Sequence, residues 1–115
     1  MVWDKGIDFE KTRRLLLKKL KEEGKKEGIR KISRMAHYIT ALIQLCNGCR
    51  ASESVEAFNR WRMTGKREVE VRVRKKRYGD YRLVVIPSEV MKYRNTIRYY
   101  NQSTSKYKNF IRQNF

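Results

Sequence analysis

One proline, one histidine, two cysteines and only 12 carboxylate side chains occur among the 115 residues of this chain. Each scarcity removes a class of protein. A zinc site takes three or four ligands, drawn mainly from Cys and His. Here Cys46, Cys49 and His37 stand without a second cysteine pair, so no metal and no cofactor is expected. The Cys-x-x-Cys of Cys46 and Cys49 straddles a helix end instead of following a strand and opening a helix, which argues against a thioredoxin-like redox pair. Both cysteines are expected as small buried or half-buried fillers in the reducing cytoplasm. His37 falls off the apolar stripe of its helix and is expected in solvent. No apolar run approaches the 18 residues of a membrane span, and no leader with a cleavage site opens the chain, so neither membrane insertion nor secretion is expected.

The shortage of acid is matched by a surplus of base: 29 Lys and Arg give a formal net charge of +17. That excess repels itself in a compact state and attracts polyanions. Proteins adapted to heat balance Lys with Glu, and this chain does not. Nucleic acid is therefore the expected partner, chiefly the backbone of duplex DNA, where phosphate contacts release counterions. No small-molecule substrate is indicated. With 40% apolar residues, the chain is long enough to bury one ordinary core.

Hydrophobic periodicity orders the chain. Residues 7–23 read as a helix with Asp8 as a candidate N-cap, Phe9, Leu16, Leu17 and Leu20 at helical spacing, and Lys18 and Lys19 among the cations of its polar face. The stretch GKKEG is the clearest linker, so residues 1–28 form a basic amino-terminal helix and linker ahead of a main region, 29–115. The second helix carries the strongest pattern: Ile29, Ile32, Met35, Ala36, Ile39, Leu42, Ile43 and Cys46. Asn47-Gly48 ends it, and Ser52 is expected to cap a short third helix that buries Val55, Phe58 and Trp61. After Gly65 the period changes to two. Val69, Val71 and Val73 alternate with charges, and Leu83-Val84-Val85-Ile86 answers across KKRYGDY, which predicts a β-hairpin over 68–86. Pro87 ends the second strand and Ser88 begins a helix with Val90, Tyr93, Ile97 and Tyr100 on one face. Ser103 and Ser105 open a last basic, aromatic helix that reaches Phe115 without a stop signal. The expected fold is α+β and mainly helical: four or five helices around a small antiparallel hairpin or three-stranded sheet.

Asn-Gly-Cys-Arg-Ala-Ser-Glu (residues 47–53), then a short helix, a basic hairpin and RLVVIPSEV (82–90), resembles the amino-terminal half of the catalytic domain of tyrosine recombinases, the phage-integrase family. The family pattern is an apolar helix ending in small-Gly-x-Arg-x-x-Glu, then a hairpin with a lysine at its turn and a strand ending in Pro. The resemblance implies that Arg50 grips the non-bridging oxygens of a DNA phosphodiester and that Glu53 steadies it. It implies that Lys75 or Lys76 protonates the departing 5′ oxygen. Chemically the assignments suit the residue types: a guanidinium makes a two-pronged bond to phosphate, which an ammonium does not, and a positioned lysine can serve as general acid. Arg72, Arg74, Arg77 and Arg82 complete a basic ribbon for the backbone.

The chain departs from that pattern after the hairpin. It has no His/Lys-x-x-Arg box, and none of Tyr93, Tyr99, Tyr100 and Tyr107 sits in the family's closing nucleophile motif. Alternating with cations, these tyrosines suit packing or base stacking. A fragment that binds DNA without cleaving it alone is the expectation. Its last helix would offer an apolar seam (Tyr107, Phe110, Ile111, Phe115) to a carboxy-terminal recombinase half or to a second copy. Two other readings compete. One is a self-sufficient regulator or architectural protein, of recombinase or winged-helix scaffold, with Asn59 and Arg60 as base readers. The other is an RNA-binding protein that uses the hairpin as a ribbon.

Overall fold

A computed structural model describes residues 8–73 and 80–115. Among them the fold is α+β, with five helices and a two-stranded antiparallel sheet. Helix α1 (Phe9–Gly24) starts at Asp8, whose carboxylate accepts from the Lys11 N–H at 3.0 Å. This is the cap expected of a short acidic side chain. Leu16 and Leu20 are fully buried, whereas Phe9 is half exposed. Helix α2 (Lys31–Asn47) ends on Gly48, which adopts the left-handed conformation with φ 62°. Helix α3 (Ala51–Thr64) ends on Gly65 with φ 74°, and the Arg94 guanidinium packs 3.1 Å from where a Cβ would stand.

The hairpin pairs β1 (Glu68–Arg72) with β2 (Tyr81–Val85) in the register Glu68 to Val85 and Arg72 to Tyr81. Alternation works as the period of two requires: Val69, Val71, Val84 and Ile86 face the core, and Glu70, Leu83 and Val85 face out. Because Val71 lies opposite Arg82, Arg82 belongs to the inner face. Past Pro87 the chain tightens into a 3-10 segment (Ser88–Tyr93) and then a one-turn helix α4 (Arg94–Ile97). The sequence pattern predicts one continuous helix here. The buried residues are still Val90 and Ile97, but so short a run takes its winding from what it packs on. Helix α5 (Thr104–Asn114) begins at Ser103, which accepts from the Lys106 N–H at 3.2 Å.

Helix α2 is the axis of the molecule. Met35 to Gln44, ten consecutive residues, are buried, because α1, α3, α4 and α5 all pack on it. A helix covered on every side has no polar face, whatever its periodicity. This corrects four expectations. His37 is 7% exposed, since α5 closes over it and Phe110 stacks on its ring at 4.7 Å. Ile29 is 98% exposed, since it precedes the helix and is carried outward beyond Gly28. Cys46 is exposed, leaving Cys49 as the buried cysteine, because α2 emerges from the core in its last turn. The α5 seam is not open either: Tyr107, Phe110 and Ile111 are buried against the rest of the fold, and Phe115 alone of the four stays 41% exposed.

Buried polar groups tie the carboxy-terminal elements to this axis. The Tyr107 hydroxyl donates to Gln44 Oε1 at 2.6 Å, and Gln102 Nε2 donates to Thr40 Oγ1 at 3.1 Å. Asn59 and Gln102 exchange two amide-type bonds, each 3.0 Å, between the Asn59 side chain and the Gln102 backbone. Arg13 pairs with Glu89, joining α1 to the 3-10 segment. No helix among the described residues is long and apolar enough to cross a membrane.

Burial holds the His37 imidazole neutral, lowering its pKa from 6.5 to about 4, with the charges of Lys106 and Arg34 acting in the same direction. The unfolded chain therefore takes up the proton at a higher pH than the folded one. The contribution to stability is complete above pH 6.5 and is lost as pH falls toward 4, at up to about 1.4 kcal/mol per pH unit. Urea unfolding between pH 7 and pH 5 should show a steeper loss in the wild type than in His37→Gln. Parallel profiles would place the imidazole in water.

Candidate phosphate-binding site at the α2–α3 junction

The α2–α3 junction is built from backbone needs. The last carbonyls of α2 and the first N–H groups of α3 lack intrahelical partners, and Gly48 in its left-handed conformation turns the chain between them. The Arg82 guanidinium donates to the Asn47 carbonyl at 2.8 Å, supplying one missing partner. Glu53 accepts from the Arg50 N–H at 3.2 Å, supplying another. Arg50 is thereby the N-cap of α3. Helix α3 starts earlier than Ser52, the expected cap, because the carboxylate three residues on reaches back to it.

Asn47 does more than end a helix. Its side-chain amide pairs with Val85 as a strand would: Nδ2 donates to the Val85 carbonyl at 2.9 Å and Oδ1 accepts from the Val85 N–H at 3.0 Å. Nδ2 also donates to the Ile43 carbonyl at 3.0 Å. One side chain therefore fixes the hairpin's free edge to the end of α2. In sequence, Asn-Gly signals a turn, and nothing local marks this second role.

Around the junction an open pocket of ≈ 490 Å³ is lined by Gly48, Arg50, Glu53, Val73, Asp80, Tyr81 and Arg82. Arg50 is exposed, and no described residue takes a bond from its guanidinium. Glu53 is 3% exposed and lies 3.5 Å from an Arg82 nitrogen. The carboxylate thus holds the Arg50 backbone and pairs with a second arginine, while the Arg50 side chain is left unengaged. Arg50 lines the pocket, and a guanidinium fork is able to meet two oxygens of one phosphate. Asp80 and Tyr81, at the start of β2, also line the pocket.

The remaining candidates are dispersed. Arg82 is half-buried and spends donors on Asn47 and Glu53. Arg72 is exposed on the outer face of β1, and its N–H meets the Glu56 carboxylate at 3.3 Å. Lys18 is exposed and Lys19 half-buried on α1. Arg74, Lys75, Lys76 and Arg77 lie outside the described residues, in the segment that leaves from Val73 and returns at Asp80. Of the described charged residues in the lining, Arg50 and Arg82 are balanced by Glu53 and Asp80. Asn59 holds the Gln102 backbone and also accepts from Arg62 Nε, and Arg60 pairs with Glu56 at 3.0 Å.

Tyr107 is closed to nucleophilic chemistry. Its hydroxyl is buried on Gln44, and burial pushes its pKa far above the usual phenol value. Among the described residues no cluster of three His, Cys, Asp or Glu side chains is placed to hold a metal ion.

Over 90 residues the chain is 31% identical to the "Putative integrase ORF241" of Acidianus two-tailed virus, a match that takes in 78% of this chain and 35% of the viral protein. Over 99 residues it is 32% identical to an uncharacterized protein of Methanocaldococcus jannaschii, covering 78% of this chain and 44% of that one. The chain therefore spans less than half the length of the curated relatives it matches. No family model matches it, and no solved structure does.

Replacing Asn47 by Ala removes both side-chain bonds from the end of α2 to Val85, together with the bond to Ile43 within the helix. Hydrogen bonds of this kind contribute about 0.5–1.5 kcal/mol each, so exchange of the Val85 amide should accelerate severalfold. Unchanged protection by hydrogen-exchange NMR would mean that the amide does not hold the β2 edge.

Proposed function

We propose that this chain is an integrase-like domain that binds the phosphate backbone of duplex DNA, with Arg50 as its principal phosphate ligand. One observation carries this reading: an exposed arginine with no partner among the described residues, its backbone fixed by a buried carboxylate, at the mouth of a pocket beside the root of a basic hairpin. An ordinary surface arginine has no need of a buried glutamate under its N–H. The net charge of +17 and the similarity to a viral protein named as an integrase favour the same partner.

In the recombination chemistry of such proteins, charge builds on the non-bridging oxygens and on the departing 5′ oxygen. Arg50 stabilises the first by two parallel N–H bonds. Lys75 or Lys76, from the hairpin segment outside the described residues, protonates the second. The attacking group is not supplied by Tyr107, and the chain has no second arginine box. It binds DNA and does not cleave it alone; the missing groups come from a carboxy-terminal half or from another protein. An electrostatic site stripped of several members loses nearly all its rate.

A salt titration of binding to a short duplex tests the assignment. Arg50→Ala should weaken binding and reduce the slope of log affinity against log salt by about one unit, the signature of one phosphate contact. Arg50→Lys should restore the slope and only part of the affinity, because an ammonium meets one oxygen. A slope unchanged in Arg50→Ala would sink the proposal.

A further inference from the structure

A second pocket, of ≈ 440 Å³, opens between the first half of α2 and α5 and plays no part in the reading above. Its lining includes Arg30, Arg34 and Lys106 and no carboxylate, with His37, Phe110 and Tyr100 forming an aromatic wall. It therefore differs in charge from the Arg50 pocket, whose described cations are balanced by acids. Arg34 is partly neutralised: Glu23, 3% exposed, lies 2.6 Å from its Nε, and its guanidinium sits 5.9 Å from the Phe110 ring centre. Arg30 and Lys106, both exposed, have no such partner among the described residues. They bring two uncompensated cations to the rim.

His37 supplies the less common feature. Its ring is 7% exposed, and its Nδ1 is buried with no hydrogen-bond partner. Buried polar atoms are rarely left unpaired, and an imidazole held against two cations is a poor choice for simple filling. An anion in the pocket offsets the repulsion that Lys106 and Arg34 exert on this ring. The volume exceeds what one phosphate needs and lies in the range of small-ligand sites. The phenol of Tyr100, its ring centre 6.2 Å from that of His37, gives a flat surface beside the cations, suited to a base.

We infer that this pocket binds a nucleotide phosphate, with Arg30 and Lys106 as the charged ligands, His37 as a hydrogen-bonding floor and Tyr100 as a stacking surface. Two sources share this chemistry: a free nucleotide, and one nucleotide unit of a polynucleotide that also lies against the Arg50 pocket. Ten residues of α2 separate His37 from Asn47, a rise of about 15 Å along the helix axis.

His37 is the one histidine of the chain, and its imidazole resonances are an unambiguous reporter. They should move in a saturable way on titration of the full chain with thymidine monophosphate or with a short duplex. In Arg30→Gln/Lys106→Gln, two exposed changes that leave the core intact, the response should weaken at least about tenfold. A duplex acting at much lower concentration than the mononucleotide identifies the polynucleotide as the source, and the mononucleotide acting alone identifies the free ligand. No saturable shift with either, or an undiminished shift in the double variant, overturns the inference. Arg50→Ala should leave the mononucleotide response unchanged, so failure here and failure of the Arg50 assignment are separate outcomes.

Discussion

Enclosure of α2 is the constraint on which the rest of the structure depends. A 17-residue helix with ten consecutive buried residues can be covered only if other elements pack around it, and each does so with a small apolar contribution. Leu16 and Leu20 come from α1, Phe58 and Trp61 from α3, Ile97 from α4, and Tyr107 with Ile111 from α5. Full burial of side chains of this size is worth about 1.5–3 kcal/mol each, which makes one helix the common partner of the whole core. The hairpin joins through its inner valines and through Asn47.

The two candidate pockets lie toward the ends of that helix as a consequence. Backbone groups in the last turn of α2 need partners, and meeting that need gathers Asn47, Arg82, Glu53 and Arg50 into one junction. At the other end α2 lies beside α5, and there Arg30, Lys106 and His37 line one pocket. Charge follows the same logic. With so few acids available, two are nearly inaccessible: Glu23 beside Arg34 and Lys26, and Glu53 beside Arg82. A buried carboxylate is normally paired, and each of these two lies against an arginine and holds it in position. The cations left over stand on the outer surface.

The helices and the hairpin were legible because their signals are local. Asp8 and Ser103 cap as short oxygen-bearing side chains do, Gly48 and Gly65 end helices as residues tolerant of positive φ, and alternation chose the inner face of the hairpin. The exposure of His37 and the openness of the α5 seam were misjudged for one reason. Periodicity describes one helix against one core face and says nothing about a second helix arriving from sixty residues away. The start of α3 was misplaced by two residues because the carboxylate of Glu53 competes with the Ser52 hydroxyl as a helix signal, and only geometry shows which one reaches the chain.

The amino-acid sequence by itself determined the element order, the fold class, the excess of positive charge and the placing of Arg50 three residues before Glu53, since each rests on spacing within a few residues or on composition. Tertiary structure decided which arginine is held and which is left free. Arg50 and Arg82 are indistinguishable as side chains, yet Arg82 lies on the inner face of β2, where an orphan carbonyl and a buried carboxylate take its donors. Arg50 stands at a helix start with its backbone bound and its guanidinium without a partner among the described residues. That difference comes from contacts between residues about thirty positions apart, which only folding brings together.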